Sequence, residues 1–403
     1  MGVVQFPSDS ITSLGKQNNK HFKKYKTMKR ILTTIQKNTS RLLLLTVLAG
    51  AMASCDSVLN YDENCSTEYC VKFKYDYNME EVDIFSQVIR TVTLYAFDDN
   101  GNLVYQNVDE GEQLADLDYS MKVDFDASKY HIVVWAGLND ESFAVPLLYP
   151  TQSKINELNV KTLRNKNINN RTSRTDATGE EGKYIVNEEL HSLWHGEVKN
   201  AVTTRNGRES ITTVNLVKNT NNIHITVAQV NQSDKPIPAT KTISKNNLEC
   251  TIYDDNGYMN YDNTLLPDNL LTYEPFAINE NTVTSKAFKA NGQPIDEKDD
   301  SGVSQGYNAV VSEISVARLV SSQTPRLTIK STITGEVLVD SENIIELLDL
   351  LRIEQYKDKY GKQEYLDRED DYNLTFFVNE KMALINSVIE INGWIIHIKN
   401  IEL

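Results

Sequence analysis

Short runs of alternating apolar and polar residues recur along the chain and predict β-strands. Residues 70–77 alternate regularly, and residues 88–97 do so in part, with many β-branched and aromatic side chains. Further runs of this kind lie at 130–135, 211–217, 222–230, 327–333, 371–378 and 393–399. Short strands separated by turn residues predict a mainly β protein built from β-sandwiches.

One segment departs from this pattern and predicts a helix. Residues 342–355 follow Ser341, which we expect to be the N-cap. The segment places four apolar side chains on one helical face: Ile344, Leu347, Leu348 and Leu351. We therefore expect a single helix, in the second half of the chain.

An internal repeat divides the chain. The Asp-Asp-Asn-Gly sequence at 98–101 recurs at 254–257, and a Tyr and an Asn follow at the same offsets in both copies. Asn-Gly supplies the two positive-φ residues of a type I′ turn, so each copy predicts a β-hairpin. The adjacent acids leave a calcium loop open as an alternative, although the distal Glu of such loops is missing. The repeat predicts two tandem β-sandwich domains, at 55–217 and 218–403.

The N-terminal segment has the features of a lipoprotein signal peptide. Basic residues at 29–30 precede an apolar run at 42–53, and small residues directly precede Cys55. This arrangement resembles a bacterial lipobox, in which the cysteine is acylated, although Met52 stands where leucine is usual. The run is shorter than the roughly 20 residues that span a bilayer. The alternative is a plain signal peptide with an incidental cysteine.

Residues 1–54 are therefore interpreted as an upstream segment and a signal peptide, with Met28 as the expected start. The whole chain has a formal net charge of −15, and residues 1–54 contribute +8, which leaves −23 on residues 55–403. This acidity argues against nucleic-acid binding and against docking onto anionic lipid through a basic patch. Attachment to a membrane must then depend on the lipid.

Three further cysteines follow Cys55. If Cys55 is acylated, an exported protein can form one disulfide from Cys65, Cys70 and Cys250. Cys65 with Cys70 is the local pairing, and Cys250 with either is the long-range one. No C-x-x-C spacing accompanies them, so we expect no metal site.

Nothing in the sequence supports catalysis or a cofactor. His191 and His195 have the spacing of a helical zinc pair, but Ser192 replaces the acid of a zinc-protease motif and the segment is strand-like. We interpret both as packing residues. Carboxylates are frequent, yet no pair stands out, and no nucleophile elbow, P-loop or dinucleotide fingerprint is present. A secreted hydrolase would have to be found by an activity screen.

Several segments together resemble a known family. Besides the lipobox they are residues 75–79, 93–98, 130–137, 193–196, 364–372 and 391–394, in this order. They resemble the fimbrillin-associated anchor family, the minor fimbrial lipoproteins of type V pili in Gram-negative anaerobes. The resemblance implies two transthyretin-like β-sandwich domains and an outer-membrane lipoprotein that holds the base of a fimbrium at the cell surface and limits its length. Subunits of such pili join by donated strands.

The resemblance also implies that shaft subunits are trimmed after an arginine by a trypsin-like protease. Here no arginine occurs between Cys55 and Arg90, so the first strand would stay in place and keep the lipid attached. We expect the C-terminal segment 389–403 to meet the first shaft subunit through a strand carrying Trp394, Ile396 and Ile398. Its alternative role is that of a last core strand. A surface glycan-binding lipoprotein is the competing function, and its mark would be a platform of exposed aromatic side chains.

Overall fold

A computed structural model describes residues 67–166, 183–233, 236–237, 242–296, 301–385 and 387–397. The strands of its first half are β1 Glu68–Lys74, β2 Thr91–Phe97, β3 Leu103–Glu110, β4 Met121–Val123, β5 His131–Ala136, β6 Phe143–Ala144, β7 Asn159–Thr162, β8 Asn165–Lys166, β9 Tyr184–Val186, β10 Trp194–Lys199, β11 Thr203–Asn206, β12 Glu209–Asn215 and β13 Val217–Lys218. Of these, β3 and β12 alternate in burial as the sequence pattern predicted, whereas β2 and β5 are buried along nearly their whole length.

Two sheets of the first half share one buried cluster. One has the order β11-β12-β1-β4 and the other β13-β10-β5-β2-β3. Phe73 of β1, Leu94 of β2 and Val134 of β5 all lie in this cluster. Burying such aliphatic and aromatic side chains contributes about 1.5–3 kcal/mol each, which holds the two sheets together. We call this unit the first sandwich.

The second half contributes the larger sheets. Its strands are β14 Thr220–Gln229, β15 Leu248–Asp254, β16 Tyr258–Asn260, β17 Leu271–Tyr273, β18 Ala277–Ser285, β19 Gln305–Ala317, β20 Arg326–Ser331, β21 Val337–Ser341, β22 Asp371–Val378, β23 Val388–Ile391 and β24 Trp394–His397. One six-stranded sheet has the order β18-β19-β14-β22-β23-β24, and the other has the order β21-β20-β15-β17-β9-β8. A mainly β fold is thus confirmed.

Strands of the first half also enter sheets of the second. β9 pairs in parallel with β17, and β7 pairs with β16. The five-stranded sheet is buried on both faces, because Val134 of β5 points into the first cluster and its neighbour Trp135 into a second, larger one. The described residues belong to one compact unit. The boundary between 217 and 218 stays a prediction.

Helices are few and short. They are α1 Phe85–Val88, α2 Ile344–Gln355 and α3 Lys362–Arg368, with 3₁₀ turns at Glu112–Ala115, Ala127–Lys129 and Ile155–Glu157. The predicted helix is confirmed as α2, but its N-cap is Asn343 rather than Ser341, since the Asn343 Oδ1 accepts from the Ile345 N–H at 3.0 Å. Helix α3 was not predicted, because its seven residues are too few for a periodic signal. No helix in the described segments is long and apolar enough to cross a membrane.

The first repeat copy forms a hairpin between β2 and β3, but its turn is not type I′. Gly101 has a positive φ of 73°, whereas Asn100 has not. The Asp98 side chain holds the loop instead, accepting from the backbone N–H groups of Asn100 at 2.9 Å and Asn102 at 2.8 Å. Aspartate commonly closes turns in this way, so the local acid rather than Asn-Gly sets the geometry.

The second repeat copy is not a hairpin at all. β15 and β16 enter different sheets, and the residues between them connect those sheets. Asn256 is buried there, and its Nδ2 donates to the carbonyls of Ala317 and Arg318, both at 3.1 Å. Its Oδ1 accepts from the Tyr273 hydroxyl at 2.6 Å. The hairpin prediction was wrong here because these tertiary contacts override the local turn preference.

The described residues contain no group of His, Cys, Asp and Glu side chains arranged to hold a metal ion.

The two copies also differ electrostatically, which gives a pH prediction. Burial, with Asp255 beside it, raises the pKa of Asp254 from 3.8 to about 7. A buried acid that stays protonated in the fold binds a proton that the unfolded chain has released, so stability falls as pH rises from about 4 to about 7. We expect Asp254→Asn to raise the free energy of unfolding by roughly 2 kcal/mol at pH 8 and to leave it nearly unchanged at pH 4. Urea denaturation at the two pH values measures this difference.

Asp98 is the matched control, because hydrogen bonds from Asn102 lower its pKa. Asp98→Asn should therefore destabilise the protein at neutral pH and lose this effect in acid. If the free energy of unfolding depends on pH equally in the wild type and in Asp254→Asn, the prediction for Asp254 is wrong.

Candidate functional site

The described residues include only part of the expected site. Cys55, Cys65 and Ile398 lie outside them. Cys70 in β1 and Cys250 in β15 are both buried free thiols, and burial raises the pKa of Cys250 to about 11. A thiol with so high a pKa is a poor nucleophile at neutral pH. A disulfide involving Cys65 stays a prediction.

β1 is an interior strand of its sheet. It pairs in parallel with β12 from Glu68↔Glu209 to Lys74↔Asn215, and antiparallel with β4 on its other side. Its apolar side chains, Val71 and Phe73, are buried in the first sandwich. Removing β1 would open the sheet and expose this cluster to water, so the strand nearest the expected lipid site is part of the fold.

The last described strands form a tight hairpin. Asn392 and Gly393 have positive φ values of 49° and 80°, and Ile391 pairs with Trp394 across them. Two consecutive positive-φ residues define a type I′ turn, whose twist matches that of the strands. The Asn392 Oδ1 accepts from the Asn373 N–H of β22 at 2.7 Å, which ties the turn to the sheet.

β24 is the outermost described strand of its sheet. Within the described part of the chain, no strand pairs with its other side. In a two-residue hairpin the closing pair exchanges both hydrogen bonds, and bonded pairs alternate with unbonded ones. Trp394 and Ile396 therefore direct their backbone groups toward β23. The backbone groups of Ile395 and His397 point outward and can accept a further strand.

The side chains of β24 differ in exposure. Trp394 is 51% exposed, whereas Ile396 is only 7% exposed and belongs to the large buried cluster together with Ile389. Ile395 lies on the opposite face and packs against the cluster that contains Phe377. Of the two described residues predicted to contact a partner, only Trp394 presents its side chain.

This contrast predicts different effects of truncation. We expect Ile396→Ala to lower the free energy of unfolding by about 3 kcal/mol, because it leaves a cavity in the core. Trp394→Ala should cost less than about 1 kcal/mol, since half of the side chain is already in water. Chemical denaturation measures both. A larger loss from Trp394→Ala than from Ile396→Ala would contradict the difference in burial between the two side chains.

The two histidines have separate partners. His195 is buried, its Nε2 lies 2.7 Å from the Tyr261 carbonyl oxygen, and burial lowers its pKa to about 4. The ring is neutral at physiological pH and donates its Nε2–H to that carbonyl. His191 instead places its Nδ1 2.9 Å from the Ser142 Oγ. The interpretation of His195 as a packing residue is confirmed.

Comparison with known proteins adds a family and a fold. The family model described as fimbrillin-A associated anchor proteins Mfa1 and Mfa2 matches residues 61–400. A solved proposed adhesin from Bacteroides thetaiotaomicron is 27% identical, with a TM-score of 0.63, covering 82% of this chain and 97% of its own. A proposed polysaccharide-binding protein from the same organism is 26% identical, with a TM-score of 0.60, covering 83% and 99%.

The fimbrial anchor protein Mfa2 from Porphyromonas gingivalis shares the fold. It is 15% identical, with a TM-score of 0.52, and the alignment covers 82% of this chain and 98% of Mfa2. Comparison with curated protein sequences gives no match.

Proposed function

This chain belongs to the family of fimbrillin-A associated anchor proteins, and on that premise we propose that it is an outer-membrane lipoprotein that holds the base of a fimbrium. The family is one of fimbria-associated structural proteins of the cell surface and is not an enzyme family. The finer roles proposed here are a lipid tether at Cys55, a docking edge for a shaft subunit and a limit on fimbrial length.

The tether is supported by the lipobox and by the position of β1. Two or more acyl chains on Cys55 would hold the protein stably in a membrane, whereas one chain would hold it only marginally. Because no arginine lies between Cys55 and Arg90, a protease that cuts after arginine leaves the lipid joined to β1. β1 is an interior strand, so the lipid is then joined to the folded domain itself.

The docking role is supported chiefly by the outer edge of β24. Edge strands with unpaired backbone groups bind a further strand readily, and proteins that do not use them usually block them. The outward groups of Ile395 and His397 fit such a contact, and the exposed Trp394 ring supplies apolar area beside it. A subunit bound at this edge ends the polymer at its base, which would limit the length of the fimbrium.

The direct test of anchoring is to replace Cys55 with alanine and to follow both the protein and its fimbriae. Retention of both in the membrane fraction would overturn the tether.

Surface glycan binding is the second candidate, favoured by the similarity to the proposed polysaccharide-binding protein. Sugar-binding platforms use exposed aromatic faces, and in the described segments the aromatic side chains that are more than half exposed are Tyr149 and Trp394. Tyr149 lies between β6 and β7, far along the chain from β24. Carbohydrate arrays separate the two functions, because specific glycan capture is expected only of the second.

A further inference from the structure

A short segment contacts two parts of the fold. One is the chain that follows β1, the strand nearest the tether, and the other is the β23–β24 hairpin, which carries the docking edge. The segment consists of residues 368–370, from the last residue of α3 to the residue before β22, and we call it the junction segment. It borders a cleft of about 330 Å³ that is also lined by Tyr75, Ile84 and Trp194 of the first sandwich. Each of its three side chains contacts a different part of the fold.

Arg368 holds the chain that directly follows β1. Its guanidinium carbon lies 4.1 Å from the centre of the Tyr77 ring, and its Nη1 donates to the Asn78 carbonyl oxygen at 3.2 Å. The Nε donates to Glu364 at 3.0 Å, so the same side chain is anchored in α3. A partly buried guanidinium interacts more strongly with an aromatic face than an exposed one does, because it has already lost much of its hydration.

A second contact holds the same stretch of chain. The Tyr360 hydroxyl, in the turn between α2 and α3, donates to the Glu81 carboxylate at 2.9 Å. Lys359 pairs with the same carboxylate at 3.1 Å. Residues 77–81 are therefore held by α3 and by the turn before it, although these elements lie almost 300 residues later in the sequence.

The other two junction residues contact the six-stranded sheet and the chain that leads into it. The Glu369 carboxylate accepts from the Asn392 side chain at 3.4 Å, and Asn392 is the first turn residue of the β23–β24 hairpin. The Asp370 carboxylate pairs with Lys218 of β13, and its carbonyl accepts from the Asn222 N–H of β14 at 2.8 Å. The segment thus bridges β1, the hairpin and the connection between the two halves.

We propose that the junction segment transmits mechanical load from the tether strand to the docking hairpin. The inference rests on the proposed anchoring function, in which the lipid and a fimbrium pull on opposite ends of the molecule. Force applied at the N-terminus acts first along β1. The parallel pairing of β1 with β12 resists this force in shear, and seven residue pairs share the load. It then passes through Tyr77 and Asn78 to Arg368. The covalent connection through β13 does not have to carry the force alone.

Single-molecule pulling on the purified mature chain tests this inference, with handles at the N-terminus and the C-terminus. We expect Arg368→Met to unfold about tenfold faster at a fixed force, because the ring contact and the bond to Asn78 are lost together. Tyr360→Phe removes only the hydroxyl bonded to Glu81 and should give about a threefold change. It keeps the test usable if Arg368→Met does not fold. Arg205→Met, at an exposed arginine of β11, is the matched control and should behave as the wild type.

A second handle geometry separates load transmission from general stability. A handle at the exposed Val202 pulls on β11, which pairs with β12, so load that enters through β1 leaves through these two strands and bypasses Tyr77, Asn78 and the junction segment. Arg368→Met should then unfold at the wild-type rate. An equal change in both geometries, or no change from either substitution in the first geometry, would overturn the inference. The pulling result depends on neither a membrane nor a fimbria, so failure of the anchoring proposal in the Cys55→Ala strain is a separate outcome.

Discussion

Cys55→Ala is expected to move the protein from the membrane into the soluble fraction and to shed fimbriae into the medium. Each buried methylene of an acyl chain contributes about 0.8 kcal/mol, and no helix in the described segments is long and apolar enough to replace that anchor. With a net charge of −23 on residues 55–403, the protein is repelled by anionic lipid. Cell fractionation and electron microscopy of cells and medium measure the two effects.

Cys65→Ala is the matched control for the loss of a thiol near the N-terminus. It leaves the lipobox intact, so the protein and its fimbriae should stay with the cells. If Cys55→Ala releases the protein but no fimbrial material changes, the lipid assignment stands and the fimbrial role fails. Glycan binding then becomes the leading function.

His397→Pro is expected to abolish capture of the fimbrial shaft while the protein stays folded. The His397 N–H points outward, so proline at this position removes no hydrogen bond within the sheet. Its ring would instead obstruct a strand approaching the edge and remove a donor that the strand needs. We expect at least a tenfold loss of shaft binding in a pull-down, with the melting temperature changed by no more than about 4 °C.

His397→Ala is the control, because it removes the side chain and keeps the backbone N–H. It should bind the shaft nearly as well as the wild type. Undiminished capture by a folded His397→Pro protein would show that the β24 edge is not the docking surface. A matching loss in both variants would assign the contact to the imidazole ring rather than to strand pairing.

Strand positions were predictable because alternation is a local property. Residues 222–230 and 371–378 were predicted as strands; the first forms β14 with small shifts at its ends, and the second forms β22 with the predicted bounds. Their parallel pairing could not be predicted, since it joins residues about 150 positions apart. The helix α2 was predicted from its apolar face, whereas α3 was too short to be recognised.

Only part of the candidate site could be predicted from the sequence. Alternation at the C-terminus correctly indicated a strand, which is β24, but the β23–β24 turn before it was not predicted. Alternation placed Trp394 and Ile396 on the same face of the strand, but it could not show which of the two side chains the core would cover. Only the packing of Ile396 into the large cluster shows that Trp394 is the side chain open to a partner. The junction segment had no sequence signal beyond a run of charged residues.

Local sequence alone indicated the strand-rich composition of the fold, the acidic charge, the expected lipid site at Cys55 and the lack of arginine between Cys55 and Arg90. These follow from neighbouring residues or from simple counts, so no tertiary contact is needed to see them. Tertiary packing was needed to show that the two identical Asp-Asp-Asn-Gly segments take different conformations and that Arg368 contacts Asn78 across 290 residues. Burial and long-range pairing outweigh the local turn preference of Asn-Gly, and both are set by residues distant in the chain.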